Sequence, residues 1–327
     1  MAHRKLIWAV EVFETDNHTQ RHSLSVIRRL LEREPLITVE PVYILAPSQL
    51  RLSTEFSLPQ VENYRPAAES LLERITHEAK FENYLPPKVI TAAMLPAVES
   101  GSAAGLAAYA EQSGAELIVV GSHGRHGVSR AFLGSFAEAL LLLSRVPVLI
   151  AGNAVHRARS LDHIFYPTDF SIHSELLFRR VVEEALALNA QVTLFHAVPS
   201  PIEPVFSTGV YLLGGAWLPV HTYFTAEVQR AQNRADRWAR WARRAGISVD
   251  VVVHTQPSNI ADTVVQLAQR TNAGLIMMDS HSGPVRSVLI GSITRQIARH
   301  ADCPVWVMRS DVLAERRASV RSGRRAA

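Results

Sequence analysis

The stretch AELIVVGSHG, residues 115–124, is an apolar run that passes into a glycine-containing loop, and it recurs as AGLIMMDSHS at residues 273–282. Two further segments recur in the same order and at nearly the same separation, 157 or 158 residues. They are KLIWAVE (5–11) with HIFYPTD (163–169), and LGSFAEALLLLSRVPVLI (133–150) with IGSITRQIARHADCPVWVM (290–308). Three recurrences at one period indicate a tandem duplication, and the two halves are called repeat 1 and repeat 2 below.

Within each repeat, short apolar runs alternate with segments of helical period. This alternation predicts an α/β fold of two tandem doubly wound domains, each a five-stranded parallel sheet flanked by helices. The domains are predicted at residues 1–152 and 160–311, followed by an arginine-rich tail, 312–327, whose polar composition predicts disorder. The predicted strands are 5–11, 37–45, 87–92, 116–121 and 146–151, then 162–168, 190–198, 247–254, 274–279 and 304–309. The predicted helices are 19–33, 65–80, 99–112 and 134–144, then 172–189, 222–245, 257–271 and 291–300.

The composition limits the classes of protein to which the chain can belong. Of its 327 residues, 47% are hydrophobic and 20% are charged, which is ordinary for a soluble globular protein. The net charge of +4 is concentrated in the five arginines that follow Glu315. The body therefore lacks the basic stripe of a nucleic-acid-binding protein, and nucleic acid is not an expected partner. The single cysteine, Cys303, and the absence of a signal peptide at the start predict a cytoplasmic protein.

The sequence offers two weaker candidate sites and lacks two motifs that would define others. His123 and His126 have the spacing HxxH, but no cysteine or carboxylate nearby completes a tetrahedral metal site. The motifs GxxxxGK[ST] and GxSxG are absent, which excludes a Walker-type NTPase and argues against a serine nucleophile. Residues 204–226 contain no Lys, Arg, Asp or Glu, yet their prolines and glycines argue against a membrane span. This apolar segment is expected to be a lid, a buried loop or a contact for an apolar ligand.

The glycine-containing loop GSHGRHGVSRAFLGS (121–135) has the spacing Gly121-x2-Gly124-x9-Gly134, followed by Ser135. Gly121 and Gly124 let the backbone approach a ligand closely. Gly134 and Ser135 are expected to open a helix whose first amides and dipole favour an anion. The Ser135 hydroxyl is expected to cap this helix or to bond a phosphate oxygen. The loop therefore predicts a phosphate site that has no P-loop lysine.

The predicted sheet gives this loop a location. Ligands of open α/β sheets bind beyond the carboxyl ends of the strands, where the winding reverses. If the first and fourth strands are neighbours, the crevice is bounded by the residues after Val10 and after Val120. Arg125 and Arg130 would supply side-chain charge there. The alternative is a tight βα turn that needs its glycines only for the backbone.

The loop, together with the closing RVPVLI, resembles the universal stress protein family, and the chain apart from its linker and tail is similar to a tandem member. The resemblance implies an adenine nucleotide α-hydrolase-like fold and, in many members, binding of ATP or AMP through G-x2-G-x9-G-[ST]. It also implies an aspartate after the first strand, near the adenine. Other members lack the glycine pattern and bind no nucleotide. The residues that the resemblance assigns to the nucleotide are Val10, Glu11, Ile44, Gly121, Ser122, His123, Gly124, Arg125, Arg130, Gly134, Ser135, Phe136, Pro167, Thr168 and Asp169.

The two repeats depart from the family pattern in opposite ways. Repeat 1 keeps the glycine loop but has Glu11 where repeat 2 has Asp169, and its first loop is about five residues longer. The extra methylene of glutamate extends the carboxylate roughly 1.5 Å further into the pocket. Repeat 2 keeps YPTDFS but has Asp279 and Ser282 in place of the first two glycines, and an aspartate beside the phosphate repels a triphosphate. We therefore expect repeat 1 to bind nucleotide and repeat 2 not to bind it.

The expected protein is a cytoplasmic stress-response regulatory or binding module that holds ATP or AMP in repeat 1. It is not expected to be an enzyme beyond a slow ATPase, because no general base accompanies the loop. No metal is needed except Mg²⁺ with ATP. The alternative is a nucleotide-free scaffold that binds an apolar small molecule or a protein through residues 204–226. A homo-oligomer is compatible with both interpretations.

The last predicted strand of each repeat predicts how the repeats pack. VPVLIA (146–151) and CPVWVM (303–308) are apolar on both faces, and each is last in its sheet. A sheet edge leaves backbone amides and carbonyls unpaired, and proteins normally cover or pair such an edge. We therefore expect the two strands to pair antiparallel and to join the sheets.

Overall fold

The computed structural model describes residues 4–13, 18–46, 61–122, 133–152, 159–198, 217–256, 258–280, 291–313 and 315. The strands are β1 (Lys5–Ala9), β2 (Thr38–Ile44), β3 (Lys88–Ile90), β4 (Leu117–Gly121), β5 (Val148–Ala151), β6 (His163–Pro167), β7 (Gln191–Ala197), β8 (Val249–His254), β9 (Leu275–Asp279) and β10 (Val305–Met308). The α-helices are α1 (His18–Arg33), α2 (Arg65–Ala79), α3 (Ser102–Gln112), α4 (Ser135–Leu143), α5 (Ile172–Leu188), α6 (Trp217–Arg244), α7 (Ile260–Arg270) and α8 (Ser292–His300). A 3₁₀ helix, Pro96–Ser100, precedes α3.

The strands form one ten-stranded sheet in the order β3-β2-β1-β4-β5-β10-β9-β6-β7-β8. Within each repeat every pairing is parallel, and β1 lies between β2 and β4. The order of each half is that of a doubly wound sheet, so the predicted fold class is confirmed. The junction is an antiparallel pairing of β5 with β10, in which Leu149 lies opposite Trp306. The predicted pairing of the two last strands is therefore confirmed as well.

Helices cover both faces of the sheet and bury one apolar cluster on each side. One cluster includes α1, α2, α5 and α6, and the other includes α3, α4, α7 and α8. Each cluster takes residues from both repeats, so apolar packing continues across the junction on both faces. Helix α5 shows why one face of a helix is buried against the sheet. Its apolar residues recur at helical spacing and are all buried, namely Leu177, Phe178, Val181, Val182 and Ala185. Its start is fixed by Ser171, whose hydroxyl accepts a hydrogen bond from the Ser174 amide at 3.1 Å.

Three helix starts differ from the sequence prediction by three residues or more. Helix α6 begins at Trp217 rather than at 222, so residues 217–226 of the apolar segment are helical backbone. Residues 204–216 lie outside the described residues. Helix α7 begins at Ile260 because Asn259 caps it, accepting from the Ala261 amide at 3.0 Å. The helix predicted from residue 99 is divided at Gly101, whose φ of +116° ends the 3₁₀ helix before α3 begins.

Among the helices in the described ranges, none is long and apolar enough to cross a bilayer.

Two predictions, the disorder of the tail and the limits of the two domains, are not tested by the described residues. The tail from residue 316 onward lies outside the described residues, so the prediction of its disorder stays a prediction. The predicted domain limits, 1–152 and 160–311, also stay predictions, although they bracket the two halves of the sheet.

Candidate functional site

The crevice of repeat 1 lies where β1 and β4 end side by side. Leu6, Ile7 and Trp8 pair with Leu117, Ile118 and Val119 in parallel register. The residues that follow β1 and the residues that end β4 therefore share one edge of the sheet. Ile44, which ends β2, lies at the same edge because β2 is the next strand. The topology thus brings together the strand-end residues of repeat 1 that the sequence selected.

Hydrogen bonds to β2 and within the loop hold the chain that follows β1. The Val10 amide donates to the Val42 carbonyl at 2.9 Å, and Val10 is buried. The Glu11 carboxylate accepts a hydrogen bond from the Phe13 amide at 3.3 Å, and the Glu11 carbonyl accepts one from the Gln20 side chain. One oxygen of the glutamate carboxylate is thus engaged by the backbone of its own loop. The effect of its added length on the crevice stays a prediction.

A hydrogen bond joins the two ends of the glycine loop, which are the part of it that the structure describes. Gly121 ends β4, and Ser122 is buried with its amide donating to the Ala151 carbonyl at 3.0 Å. The chain returns at Gly134, whose amide donates to the Ser122 carbonyl at 2.7 Å. Helix α4 begins at the next residue. This bond places the amino terminus of α4 directly beside the end of β4.

The expected cap at Ser135 is wrong. The residue in the N-cap position is Gly134, with extended backbone angles (φ −62°, ψ 147°), and no side chain caps the helix. Ser135 is the first helical residue and is exposed, while Phe136 is half-buried against the neighbouring apolar cluster. No described side chain therefore caps the first amides of α4, at the end where its dipole favours an anion. His123, Gly124, Arg125 and Arg130 lie outside the described residues.

In repeat 2 the corresponding strand end is occupied by local hydrogen bonds. Pro167 ends β6, and the Thr168 amide donates to the Phe195 carbonyl at 2.9 Å. The Asp169 carboxylate accepts from the Ser171 amide at 2.9 Å and from the Ser174 hydroxyl. Burial favours the neutral acid, but these hydrogen bonds outweigh it and lower the pKa of Asp169 below its ordinary value. Asp169 is therefore an ionised group that stabilises the start of α5.

An aromatic cluster adjoins this strand end of repeat 2. Phe170 is buried in the left-handed region (φ +56°), which is uncommon for a bulky residue. Its ring centroid lies 4.6 Å from that of His196 and 5.0 Å from that of Trp238. The His196 Nδ1 donates to the Thr168 carbonyl at 2.8 Å, and burial lowers the pKa of His196, so its ring is neutral near pH 7. His196 was not identified from the sequence, although its position at the end of β7 was a usable signal.

Asp279 takes the place of the first glycine of the loop in repeat 2. It ends β9 and is nine-tenths buried. The Ser310 amide lies 3.5 Å from its carboxylate, so Asp279 contacts the segment that follows β10. Thr294 reinforces the turn by donating to the Asp279 carbonyl at 3.2 Å. A buried carboxylate therefore stands where repeat 1 has the bare backbone of Gly121, and Ser282 lies outside the described residues.

The fifteen residues that the sequence assigned to the nucleotide do not form one site. β5 and β10 are antiparallel, so all strands of repeat 2 run opposite to those of repeat 1. The carboxyl ends of the two halves consequently lie at opposite edges of the common sheet. Pro167, Thr168 and Asp169 therefore belong to a second crevice, separate from Glu11 and Gly121. Among the described residues, no group of three or more His, Cys, Asp or Glu side chains could hold a metal ion.

Comparison with known proteins places the chain in a family. The profile described as "Universal stress protein family" matches residues 31–152 and 160–309. A universal stress protein of Mycolicibacterium smegmatis is 27% identical over 202 residues, which are 60% of this chain and 62% of the relative. One from Mycobacterium tuberculosis strain H37Rv is 29% identical over the same shares. The chain thus spans less than two thirds of the length of these relatives.

A solved structure agrees with the fold of the whole chain. A universal stress protein from Archaeoglobus fulgidus DSM 4304 superposes with a TM-score of 0.60, covering 93% of this chain and 96% of that one at 14% identity. Such a low identity supports the fold alone. The family profile, in contrast, matches most of both halves of the sheet. The chain therefore belongs to the universal stress protein family, in a tandem arrangement of two such domains.

Proposed function

We propose that the protein is a cytoplasmic stress-response regulatory module that holds one adenine nucleotide, ATP or AMP, in the crevice of repeat 1. The observation that carries the proposal is the 2.7 Å bond from the Gly134 amide to the Ser122 carbonyl. It sets the uncapped amino terminus of α4 beside the end of β4 and next to the end of β1, where anionic ligands of such sheets bind.

The parts of the site divide by chemistry. Backbone amides at the start of α4, with Gly121 and Gly124 allowing close approach, would hold the phosphates. The apolar Val10 and Ile44 would line the base and ribose side. With ATP, Mg²⁺ would be bound through the phosphates. No described side chain beside this turn is placed as a general base, so the proposed role is binding rather than turnover.

Repeat 2 is proposed to stay empty of nucleotide. The buried Asp279 side chain occupies the position of Gly121, and it blocks the close backbone approach that phosphate needs there. Asp169 and Thr168 are engaged in local bonds that stabilise α5 and β7. We therefore expect one nucleotide per chain.

The test is titration calorimetry of the full chain with ATP and with AMP, preceded by mass spectrometry of small molecules released on denaturation. We expect one site per chain and at least a tenfold loss of affinity in Gly124→Val, because the branched side chain fills the space that phosphate needs. The matched control is Ser282→Val, which introduces the same side chain at the aligned position of repeat 2 and should leave the affinity unchanged. Equal affinity of Gly124→Val and the parent, or two equivalent sites, contradicts the proposal.

A further inference from the structure

A buried ion network joins the two repeats on one face of the sheet. Arg4, which precedes β1, donates to both carboxylate oxygens of Glu184 on α5, at 3.0 and 2.9 Å. The same guanidinium bonds Glu34 of its own repeat at 2.8 Å. Glu184 is only 1% exposed and also contacts Arg180 at 2.6 Å. Arg4 and Glu184 are therefore the central contact of repeat 1 with repeat 2 on this face.

The duplication identifies the counterpart of each member of this pair. Arg4 stands immediately before β1, and Asp162 stands immediately before β6. Glu184 precedes the last buried positions of α5, and the same burial pattern in α1 places Arg29 just before Leu30. Arg29 indeed lies at the seam, where it donates to the Arg159 carbonyl at 2.8 Å. The internal symmetry thus relates Arg4 to Asp162 and Glu184 to Arg29.

These four charges favour the packing of repeat 1 on repeat 2 and oppose the packing of either repeat on a second copy of itself. When repeat 1 packs on repeat 2, Arg4 meets Glu184, and the counterpart positions hold Asp162 and Arg29, again of opposite sign. If repeat 1 packed on a second copy of repeat 1, Arg4 would meet Arg29 at both symmetric positions. If repeat 2 packed on a second copy of repeat 2, Asp162 would meet Glu184. Glu184 is buried, whereas Arg4 and Arg29 are half-buried and Asp162 is exposed. Like charges brought against Arg4 or against the buried Glu184 repel, so both homotypic pairings are penalised.

The side chains that face each other at the seam also differ in volume, and this difference too favours the pairing of repeat 1 with repeat 2. Leu149 and Trp306 are each the second residue of their strand, they lie opposite one another, and both are buried. The pseudo-two-fold axis therefore passes between a large and a medium side chain. Two copies of repeat 1 would place leucine against leucine and leave space, and two copies of repeat 2 would place tryptophan against tryptophan and overfill it. Both changes disfavour close packing.

The opposite face adds a third difference. Glu138 on α4 forms an ion pair with Arg299 on α8 across the seam. The counterpart of Glu138 is Arg295, the fourth residue of α8, and the counterpart of Arg299 is Leu142, the eighth residue of α4. A pairing of two copies of repeat 2 would therefore bring Arg295 toward Arg299, whereas the observed pairing brings opposite charges together.

We propose that Arg4, Arg29, Asp162 and Glu184, with the Leu149–Trp306 contact, make the seam selective, so that each repeat accepts the other repeat and rejects its own kind. A second chain is then disfavoured from displacing either repeat by pairing its β5 with β5, or its β10 with β10. The two repeats diverged into complementary partners and are not interchangeable halves. This inference does not depend on nucleotide binding.

The test uses the full chain with a disulfide reporter, Leu149→Cys in a Cys303→Ala background. In the observed fold the new thiol at position 149 faces Trp306 and stays reduced, whereas a pairing of two copies of repeat 1 sets this thiol against the same thiol of the second chain. We expect Arg29→Glu, which makes that homotypic contact attractive and the native one repulsive, to raise the disulfide-linked dimer at least fivefold on a non-reducing gel. Arg74→Glu, the same charge change on the exposed face of α2, should not raise it.

Two further variants separate pairing selectivity from simple loosening. Arg29→Leu loses the same bond to Arg159 but creates no attraction to Arg4, so its dimer yield should stay near that of the reporter alone. Arg29→Glu with Asp162→Arg relieves the native repulsion and leaves the homotypic contact attractive, so its yield should fall below that of Arg29→Glu alone. If Arg29→Leu cross-links as much as Arg29→Glu, or if the double variant cross-links as much as Arg29→Glu, the proposal is overturned. Should Arg29→Glu lose its circular dichroism spectrum, Asp162→Arg with a Trp306→Cys reporter carries the same prediction for repeat 2.

Discussion

His163 is a buried histidine whose two ring nitrogens both have partners within repeat 2. Its Nδ1 lies 2.9 Å from the Thr271 carbonyl and its Nε2 lies 2.8 Å from the Thr193 hydroxyl. Because a carbonyl only accepts, Nδ1 carries the hydrogen and Nε2 accepts from Thr193. Burial lowers the pKa of His163 below the ordinary histidine value, despite the bond to Thr271 and the nearby Asp250 and Asp162. The folded chain therefore holds this ring neutral.

This neutral ring predicts a loss of stability in mild acid. The unfolded chain binds a proton near pH 6.5 while the folded chain binds it only at lower pH, so stability is complete above about 6.5 and falls as the pH drops toward the folded pKa. We expect the free energy of unfolding, from urea titrations between pH 7.5 and 5.5, to fall by at most about 1.4 kcal/mol per pH unit for this group. His163→Gln should reduce that slope, and His196 should account for part of the remainder.

A control distinguishes titration from the loss of a hydrogen bond. Thr193→Val removes the partner of Nε2 but keeps the histidine, so it should lower stability at every pH and retain the slope. A His163→Gln chain with the slope of the parent would show that His163 is not the titrating group.

Element starts show how far the sequence predicts local structure. The glycine-serine pairs before α4 and α8 were recognised as helix starts from their spacing, and both helices begin within a residue of the predicted position. The capping residue was wrong, because serine is a common cap and the return bond from Gly134 to Ser122 is a tertiary contact. That contact fixes which residue adopts the extended angles of the cap. Propensity alone does not contain this information.

One close approach between elements predicts an unusual response to alanine. Gly274 lies just before β9, and a Cβ built on it would stand 1.9 Å from the Ser160 carbonyl oxygen. Replacing glycine by alanine usually stabilises a chain by about 0.4–1 kcal/mol. Here the obstacle is backbone next to β6, so we expect Gly274→Ala to lower the free energy of unfolding by about 2 kcal/mol or more.

The matched control for Gly274→Ala is Gly152→Ala. A Cβ at Gly152 would meet the Ala301 carbonyl at 3.4 Å, which is an ordinary contact. Its stability should stay within about 0.5 kcal/mol of the parent. A Gly274→Ala chain as stable as the Gly152→Ala chain in urea titration would mean that the segment at Ser160 gives way easily.

At the scale of the whole molecule, the duplication predicted more than any single motif. The period of about 158 residues, the strand–helix alternation and the two apolar last strands together predicted the doubly wound halves and their antiparallel junction. The residues assigned to the nucleotide come from both repeats, and the antiparallel junction sets the two groups at opposite ends of the strands. Aligning the repeats shows which residues are equivalent, but it does not show at which end of the common sheet they lie. The sequence also could not show that Glu11 bonds the Phe13 amide.

The shared architecture predicts that the two repeats unfold together. Proteins of this size with two domains commonly unfold in more than one step. Here both apolar clusters take residues from both repeats, and the seam adds the β5–β10 ladder and the buried Arg4–Glu184 pair. Separating the repeats would expose the β5 and β10 edges and take Arg4 away from the buried Glu184 carboxylate, so a half-folded chain is disfavoured. We expect a single transition in urea, with tryptophan fluorescence and far-ultraviolet circular dichroism coincident.

A variant at the seam tests whether this coupling is the cause. Arg4→Met leaves Glu184 with Arg180 as its remaining partner and weakens the contact between repeats, and it also removes the bond from Arg4 to Glu34 within repeat 1. We expect the two probes to separate in this variant, because every tryptophan except Trp8 lies in repeat 2, whereas circular dichroism reports on both repeats. The exposed pair of Arg65 with Glu69 on α2 provides the control, and Arg65→Met should leave the transitions coincident. Two resolved transitions in the parent chain would show instead that the common cores do not bind the repeats into one cooperative unit.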